Sequence, residues 1–441
     1  MKHSQGQPQG RRWAVVGSGM MGLSIAWELA KSGHAVDVIE ASDNPGGLTG
    51  TEKYGDISWD RFYHVVETGD QQLLSLLDEI GLDSAVHWHR TRTNFFDGLK
   101  LYPLNNALDF ATLPTLSIVD KARLAINIVY GASRSNLAPL EELSAEQWLS
   151  RWSGKSTYEK LWLPLLRSKL GDNATRVTAA YICGVMKRFY GARGGASRSE
   201  TFGYLEGGYQ RVVETLLEQA IRKSVSVHVG EPVKALEAGD DAVEVTLQTT
   251  THIYDRVVLT MAPPLIATLE APFSEEESGA YRATRYQGVV CPSLLLNAKL
   301  GDAYLTYITD QHIPFTTVIE MSSLMPKKIT GGYQLVYLPK YVPSDSELFD
   351  QSDQEIIATF WEGLQRLFPH LDDRDIIHSC VNRARHVLVI PEHGKRQELV
   401  DHETSLPGVF LCHGGQIVDA ALSVDQTVAL ARKFCATFSN A

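Results

Sequence analysis

The chain has 441 residues, which at ~100 to 200 residues per domain is two to four folding units and excludes a small disulfide scaffold. Apolar residues at 44% and charged residues at 21% are globular proportions and exclude a disordered or collagen-like chain. Lys and Arg number 41 against 52 Asp and Glu, a net charge of -11 that argues against broad nucleic-acid binding and leaves room for a local basic groove that takes an anionic ligand. Cys183, Cys291, Cys380, Cys412 and Cys435 are scattered, with neither a disulfide framework nor a CxxC pair, so a reducing, cytoplasmic setting is expected. The amino terminus is polar, residues 1–10 are predicted to be a disordered tail, and no apolar run reaches the ~18 residues of a spanning helix. No integral membrane segment is therefore expected; peripheral attachment and oligomeric state stay open.

The first informative stretch is RWAVVGSGMMGLSIAWELAKSGHAVDVIEASDNPGG, residues 12–47. Trp13 to Val16 reads as a buried parallel strand, Leu23, Ala26, Trp27, Leu29 and Ala30 recur at helical spacing up to a stop at Gly33, and Ala35 to Ile39 reads as a second strand. Gly17, Gly19 and Gly22 stand between strand and helix in GxGxxG spacing. In such a βαβ unit the first glycine makes the tight turn, the second lets backbone amides reach a pyrophosphate, and the third lets the helix pack close to the strand. The phosphate charge then meets the positive helix end, where Met20 and Met21 are predicted contacts. Glu40, eighteen residues past Gly22, is placed to accept hydrogen bonds from both hydroxyls of an adenosine ribose and to repel a 2′-phosphate. This predicts FAD or NAD rather than NADP.

Beyond this unit, GDISWDRFYHVVETGD (residues 55–70) alternates like paired strands, with His64 read on one of them, and DQQLLSLLDEIGL has helical spacing. A hairpin is predicted at Asp97-Gly98. Residues 117–190 read as helical, with Ser144 as a cap and a helix over TYEKLWLPLLRSKLG. GGYQRVVETLLEQAIRKS is an amphipathic helix, VSVHVG a strand, and the following residues form a short sheet ending at Pro263-Pro264. Mixed strands and the helix SDQEIIATFWEGLQRLF fill residues 270–395. At the carboxyl end, the strand Val409 to Cys412, the glycine loop Gly414-Gly415 and a helix from about Ser423 suit a second anchor on the cofactor.

Gly46 and Gly47, which with Leu48 and Ala41 complete the predicted cofactor contacts near Glu40, resemble the second FAD signature of the glutathione-reductase-like flavoproteins. Together with the EGGYQ, EPVKALE and DRVVLTMAPP segments, these motifs resemble the flavin amine oxidase superfamily, and within it the protoporphyrinogen-oxidase-like bacterial FAD-dependent oxidoreductases. UDP-galactopyranose mutase is similar as a non-oxidase relative. The resemblance implies an α/β fold: a Rossmann-like FAD-binding domain from residues 11–85, 203–266 and 396–441, and an inserted α+β substrate domain from 86–202 and 267–395. It places the backbone of Val233 beside the adenine. The superfamily usually ends its last strand in Gly-Asp, whereas His413-Gly414 stands here.

If FAD is bound, the hard chemistry is the flavin's and few titratable groups are needed. His64 is either a flavin or substrate contact or a histidine satisfied within a sheet. Arg167 and Lys169 cannot share one helical face; Lys169 either turns into the cavity to hold a substrate anion or a water, or complements the helix dipole at a solvated end. Arg193 and Arg198 form a basic loop that either clasps a substrate anion or faces solvent. Cys412 reads as a small apolar strand residue rather than a flavin tether. His87 and His89 lack an evident third ligand, so no metal is expected. Three functions remain open: an FAD-dependent oxidoreductase acting on an amine, alcohol or saturated carbon, a flavin-dependent sugar-nucleotide mutase, and a binding protein with a vestigial nucleotide fold.

Overall fold

The computed structural model describes residues 10–105, 109, 112, 114, 116–192, 200–392, 401–417 and 422–439. Among them, five strands form one parallel sheet in the order Val225–His228, Ala35–Ile39, Arg12–Val16, Arg256–Leu259, Val409–Leu411. By chain position that order is third, second, first, fourth, fifth, the doubly wound pattern, which opens a crevice at the carboxyl ends where the direction of winding reverses. Three stretches of chain that are far apart in sequence thus build one sheet.

Side chains alternate across this sheet. Trp13 and Val15 point into a core shared with the helices Met20–Lys31, Gly208–Ile221 and Val424–Phe438, where Trp13 lies 5.8 Å from the ring of Phe410 and edge-on to Phe434. Ala14 and Val16 face the opposite layer, the antiparallel strands Ala235–Ala238, Val243–Thr246 and Thr251–Tyr254. Both faces are covered, so every strand can be a continuous apolar run.

The remaining strands form a mixed sheet around Tyr286–Leu296, which is buried along its whole length and pairs with Gln334–Tyr337, Lys340–Pro343 and Ile376–Val389. The hairpin Thr93–Phe96 with Leu101–Pro103 sits at the far edge, with Gly98 at φ 101° in its turn. A helical block, Ile118–Ala132, Ala145–Ser153, Lys155–Leu170 and Ala179–Ala192, packs beside it. Ser144 caps its helix in a reciprocal box with Gln147. Two segments differ from the sequence expectation. The helix over residues 155–170 passes Tyr158–Trp162 as a π-turn, because Pro164 has no N–H to close an α-turn. His64 lies in coil rather than on a strand: the pairing of Thr51–Tyr54 with Ile57–Asp60 ends at Asp60, and the His64 N–H turns back onto the Phe62 carbonyl at 2.9 Å. The predicted tail, residues 1–9, lies outside the described residues.

The helix Met20–Lys31 is seated by one contact. A Cβ on Gly22 would stand 1.9 Å from the Gly17 carbonyl oxygen, so only glycine allows the first turn to lie this close to the strand end. Gly22→Ala is expected to lower the unfolding free energy by about 3 kcal/mol through overpacking, read as a shift of the urea midpoint; an unchanged midpoint would refute the close seating.

Candidate cofactor and active site

Four strand ends meet at the carboxyl edge of the parallel sheet. Gly17 turns at φ 105° and donates its N–H to the Ile39 carbonyl at 2.8 Å. Thr260 closes the neighbouring strand end by donating from Oγ1 to the Val16 carbonyl at 2.8 Å. Gly19 is the N-cap of the helix, and a Cβ there would meet nothing within 4 Å. Gly17 and Gly22 are therefore glycines because the protein is dense around them, whereas Gly19 borders open space above a helix N-terminus, where free N–H groups and the dipole favour an anion. Met20 and Met21 open that helix with their side chains buried in the core. Gly46 donates its N–H to the Ser18 carbonyl at 3.0 Å, and a Cβ on Gly47 would come within 3.3 Å of the Gly19 Cα, so the second glycine pair lies directly on the first loop. Leu48 sits half-buried in the turn Gly47–Thr49 that follows.

Glu40 is held by two serines. One carboxylate oxygen accepts the N–H and hydroxyl of Ser18 at 2.8 and 2.6 Å, and the other accepts the N–H and hydroxyl of Ser42, both at 2.9 Å. Burial acts to raise its pKa, but these four bonds outweigh it, so the carboxyl titrates below its ordinary value and Glu40 is charged at neutral pH. Ala41, next to it, is exposed. The Glu231 N–H donates to the Glu40 carbonyl at 3.0 Å and the Lys234 N–H to Thr246 at 2.8 Å, which fixes half-buried Val233 beside the acid. At the other end of the crevice, His413 follows the last strand. Its Nδ1 accepts from the Gly415 N–H at 3.1 Å and its N–H donates to Gln416 Oε1 at 2.9 Å, shaping the turn Gly414–Gln416. Burial and nearby His402 push the pKa of His413 down to about 3, so it is neutral where the superfamily usually has a carboxylate. Cys412 is buried against Met21, with 3.5 Å between the sulfurs, as an apolar packing residue. An open cradle over Gly19, a charged acid at the end of the second strand and a buried unpartnered ring nitrogen on His64 fit a dinucleotide flavin.

His64 packs 5.2 Å from the ring of Tyr209, and its Nδ1 is buried with no hydrogen-bond partner. Burial pushes its pKa down to about 4, so it is neutral. Next to it, the Tyr63 and Tyr341 hydroxyls stand 2.5 Å apart, and the Lys169 ammonium lies 5.7 Å from the centre of the Tyr341 ring. The Lys169 side chain is solvent-accessible, yet desolvation and the charge of Arg188 push its pKa down to about 8. Arg188 donates from Nε to Glu67 at 2.6 Å and from Nη1 to the Leu422 carbonyl at 3.4 Å, tying the helical block to the sheet side and to the start of the last helix.

Lys169 is linked through Tyr341 to Tyr63, the sequence neighbour of His64, while Arg167 does not join them: it is exposed, and its charge acts on Tyr158. Arg193 and Arg198 lie outside the described residues. His87 bonds Glu206 at 3.2 Å, and no cluster of three metal-ligating side chains occurs among the described residues. Sequence reading missed the Tyr63–Tyr341 pair, the Glu67–Arg188 pair and Asp60. Asp60 accepts the Tyr209 N–H at 3.0 Å at the start of the helix Gly208–Ile221, and burial raises its pKa to about 7. The diglycine of EGGYQ was the available signal, because Gly207 and Gly208 adopt φ 88° and 67° and a Cβ on Gly208 would strike Asp60.

Two outcomes are expected. Glu40→Gln should weaken FAD retention by about tenfold or more at neutral pH, the loss of one charge-assisted hydrogen bond, measured by equilibrium dialysis; unchanged retention would remove Glu40 from the site. The folded pKa of Lys169 lies below its unfolded value, so the unfolded chain binds more protons between about 8 and 10.5 and stability should rise with pH across that window. Lys169→Met should flatten this rise in apoprotein denaturation curves, and an unflattened rise would place the ammonium in bulk water.

The family model described as flavin containing amine oxidoreductase matches residues 20–413. Protoporphyrinogen oxidase 2 of Arabidopsis thaliana is 24% identical over 43% of this chain and 41% of its own. An L-amino-acid oxidase of Crotalus adamanteus is 23% identical over 63% of this chain and 56% of its own. The chain thus aligns with about half the length of these curated relatives. The crystal structure of reduced UDP-galactopyranose mutase superposes with a TM-score of 0.75 at 15% identity, covering 98% of this chain and 96% of that one, which is a likeness of fold. The chain belongs to the flavin containing amine oxidoreductases, a family whose members bind FAD.

Proposed function

We propose that this protein is an FAD-dependent oxidoreductase that oxidises a small-molecule amine, alcohol or saturated carbon, with its FAD domain drawn from residues 11–85, 203–266 and 396–441 and its substrate domain from 86–202 and 267–395. The observation that carries this reading is a glycine cradle with a charged acid that the helix Gly208–Ile221 links to His64: Val213 of that helix lies against Gly46 and Tyr209 against the His64 ring. FAD, when bound, accepts the hydride. The chain's own residues do the rest. Gly19, Met20 and Met21 offer backbone amides to the pyrophosphate, and Glu40 takes the ribose hydroxyls. Gly46, Gly47, Leu48, Ala41, Val233, Gly414 and Gly415 shape the walls of the same crevice. His64, neutral and with a free Nδ1, contacts the ring system or substrate. Lys169 holds or releases a proton at Nζ near neutral pH because desolvation and the Arg188 charge lower its pKa to about 8.

The mutase reading rests on likeness of fold alone. Among the described residues, Arg188 is committed to Glu67. The purified protein is expected to show flavin absorbance bands that bleach anaerobically with at least one amine, alcohol or saturated-carbon compound. Reduced protein that isomerises UDP-galactopyranose without net electron transfer would replace this reading with the mutase, and a protein that stays colourless after FAD is supplied would reject both.

A further inference from the structure

One helix of the helical block has its apolar side turned outward. On Ile118–Ala132, Ile118, Ala122, Ala125, Ile126 and Val129 recur at helical spacing with Val119 beside them. All six are exposed, Ile118 at 84%, Val119 at 68% and Ile126 at 62%. The opposite face is buried in the block and holds Leu124 together with Asn127 and Gly131. That orientation is locked. Asn127 donates from Nδ2 to Ser153 Oγ at 2.5 Å, and a Cβ on Gly131 would stand 2.6 Å from Met186 Sδ and 3.1 Å from the Trp148 ring. The helix therefore cannot roll to hide its apolar stripe. Single apolar side chains on a surface are ordinary, but six along one helix face mark a contact surface.

The borders of the stripe are cationic. Lys121 stands on one side and exposed Arg123 on the other. Asp120, the one acid of this helix, falls in line with the buried Leu124, Asn127 and Gly131 and accepts from Ser117 Oγ at 2.8 Å. Arg123 donates to the carbonyls of Arg151 and Trp152 at 3.2 and 3.4 Å, which leaves its charge uncancelled, and Arg151 adds a second exposed cation beside it. Half-buried Tyr130 and Trp152 follow the same border with their ring centres 4.5 Å apart. We propose that the helix Ile118–Ala132 docks on an anionic lipid surface, with its apolar stripe sunk among the headgroups, Tyr130 and Trp152 at their level, and Arg123 and Arg151 on lipid phosphates. The 15 residues of the helix rise ~22 Å, less than the ~30 Å of a hydrocarbon core, so it lies in the surface plane rather than across it. The cations select the occupant. A second copy docked about a two-fold axis would set this border against its own twin, like charge on like charge, whereas an anionic headgroup layer complements it.

The test is co-sedimentation of the purified protein with vesicles of phosphatidylcholine alone or with one phosphatidylglycerol in four. Wild type, the double variant Ile118→Glu/Ile126→Glu and Arg151→Glu are compared. Wild type is expected to bind the anionic vesicles about tenfold or more tightly than the neutral ones and to be released by molar salt. The double variant should weaken binding by about tenfold or more, and Arg151→Glu by about fivefold or more. Should a variant fail to fold, anionic vesicles should still shield the Ile118 and Ile126 side chains of wild type from hydroxyl-radical labelling, read by mass spectrometry. Wild type that ignores anionic vesicles, equal binding to both vesicle types, a double variant that binds like wild type, or labelling that the vesicles leave unchanged would overturn the proposal. A lipid-free dimer in sedimentation velocity that the double variant abolishes, with no vesicle binding, would overturn the lipid assignment in favour of a second copy.

Discussion

The approach of Gly22 to the Gly17 carbonyl sets the geometry of the whole crevice. With a Cβ-to-oxygen distance that no side chain could tolerate, the helix Met20–Lys31 is drawn down until its N-terminus lies at the carboxyl edge of the sheet. The space over Gly19 is open for the same reason, since the loop between strand and helix bends away from the core. The diglycine at Gly46-Gly47 then settles on that loop, and Glu40 reaches back to the Ser18 amide. A side chain at position 22 would lift the helix and disturb all of these contacts together.

Around this cradle the fold decides which groups carry charge. Glu40 stays ionised because four hydrogen bonds outweigh its burial, whereas His64 and His413 stay neutral because burial dominates. Glu67 and Arg188 compensate each other across the junction between the helical block and the sheet side, so the ion pair also works as a brace. Removing one partner of such a poorly hydrated pair leaves the other stranded, which is far more harmful than losing an exposed pair. Lys169 lies over the Tyr341 ring, where desolvation and the Arg188 charge lower its pKa and Glu67 opposes them.

Much of the cofactor crevice was legible in the sequence because its requirements are local. The strand, helix and second strand fell at Arg12–Val16, Met20–Lys31 and Ala35–Ile39, since apolar periodicity and glycine spacing within thirty-odd residues determine them. The helical block and the carboxyl-terminal strand, turn and helix were legible for the same reason. The side-chain pairs around His64 and Lys169 were less legible because their members come from distant segments: Tyr63 and Tyr341 are 278 positions apart, and Glu67 and Arg188 are 121 apart. Arg188 in MKRFYG looks like any solvent-facing arginine until the fold brings Glu67 to it. His64 was misplaced onto a strand because the alternation of residues 55–70 continues past Asp60, where a local backbone hydrogen bond ends the pairing. Periodicity alone cannot say that Lys169 rather than Arg167 lies over the Tyr341 ring, because that ring comes from a strand far along the chain.

The central claim is that the glycine loops and Glu40 hold the adenylate half of FAD. Isothermal titration of the apoprotein with FAD, in the presence and absence of excess ADP-ribose or FMN, addresses it directly. Saturable FAD binding that ADP-ribose competes away and FMN leaves largely intact is the expected result. Absence of FAD binding, or competition by FMN with none by ADP-ribose, would contradict the account.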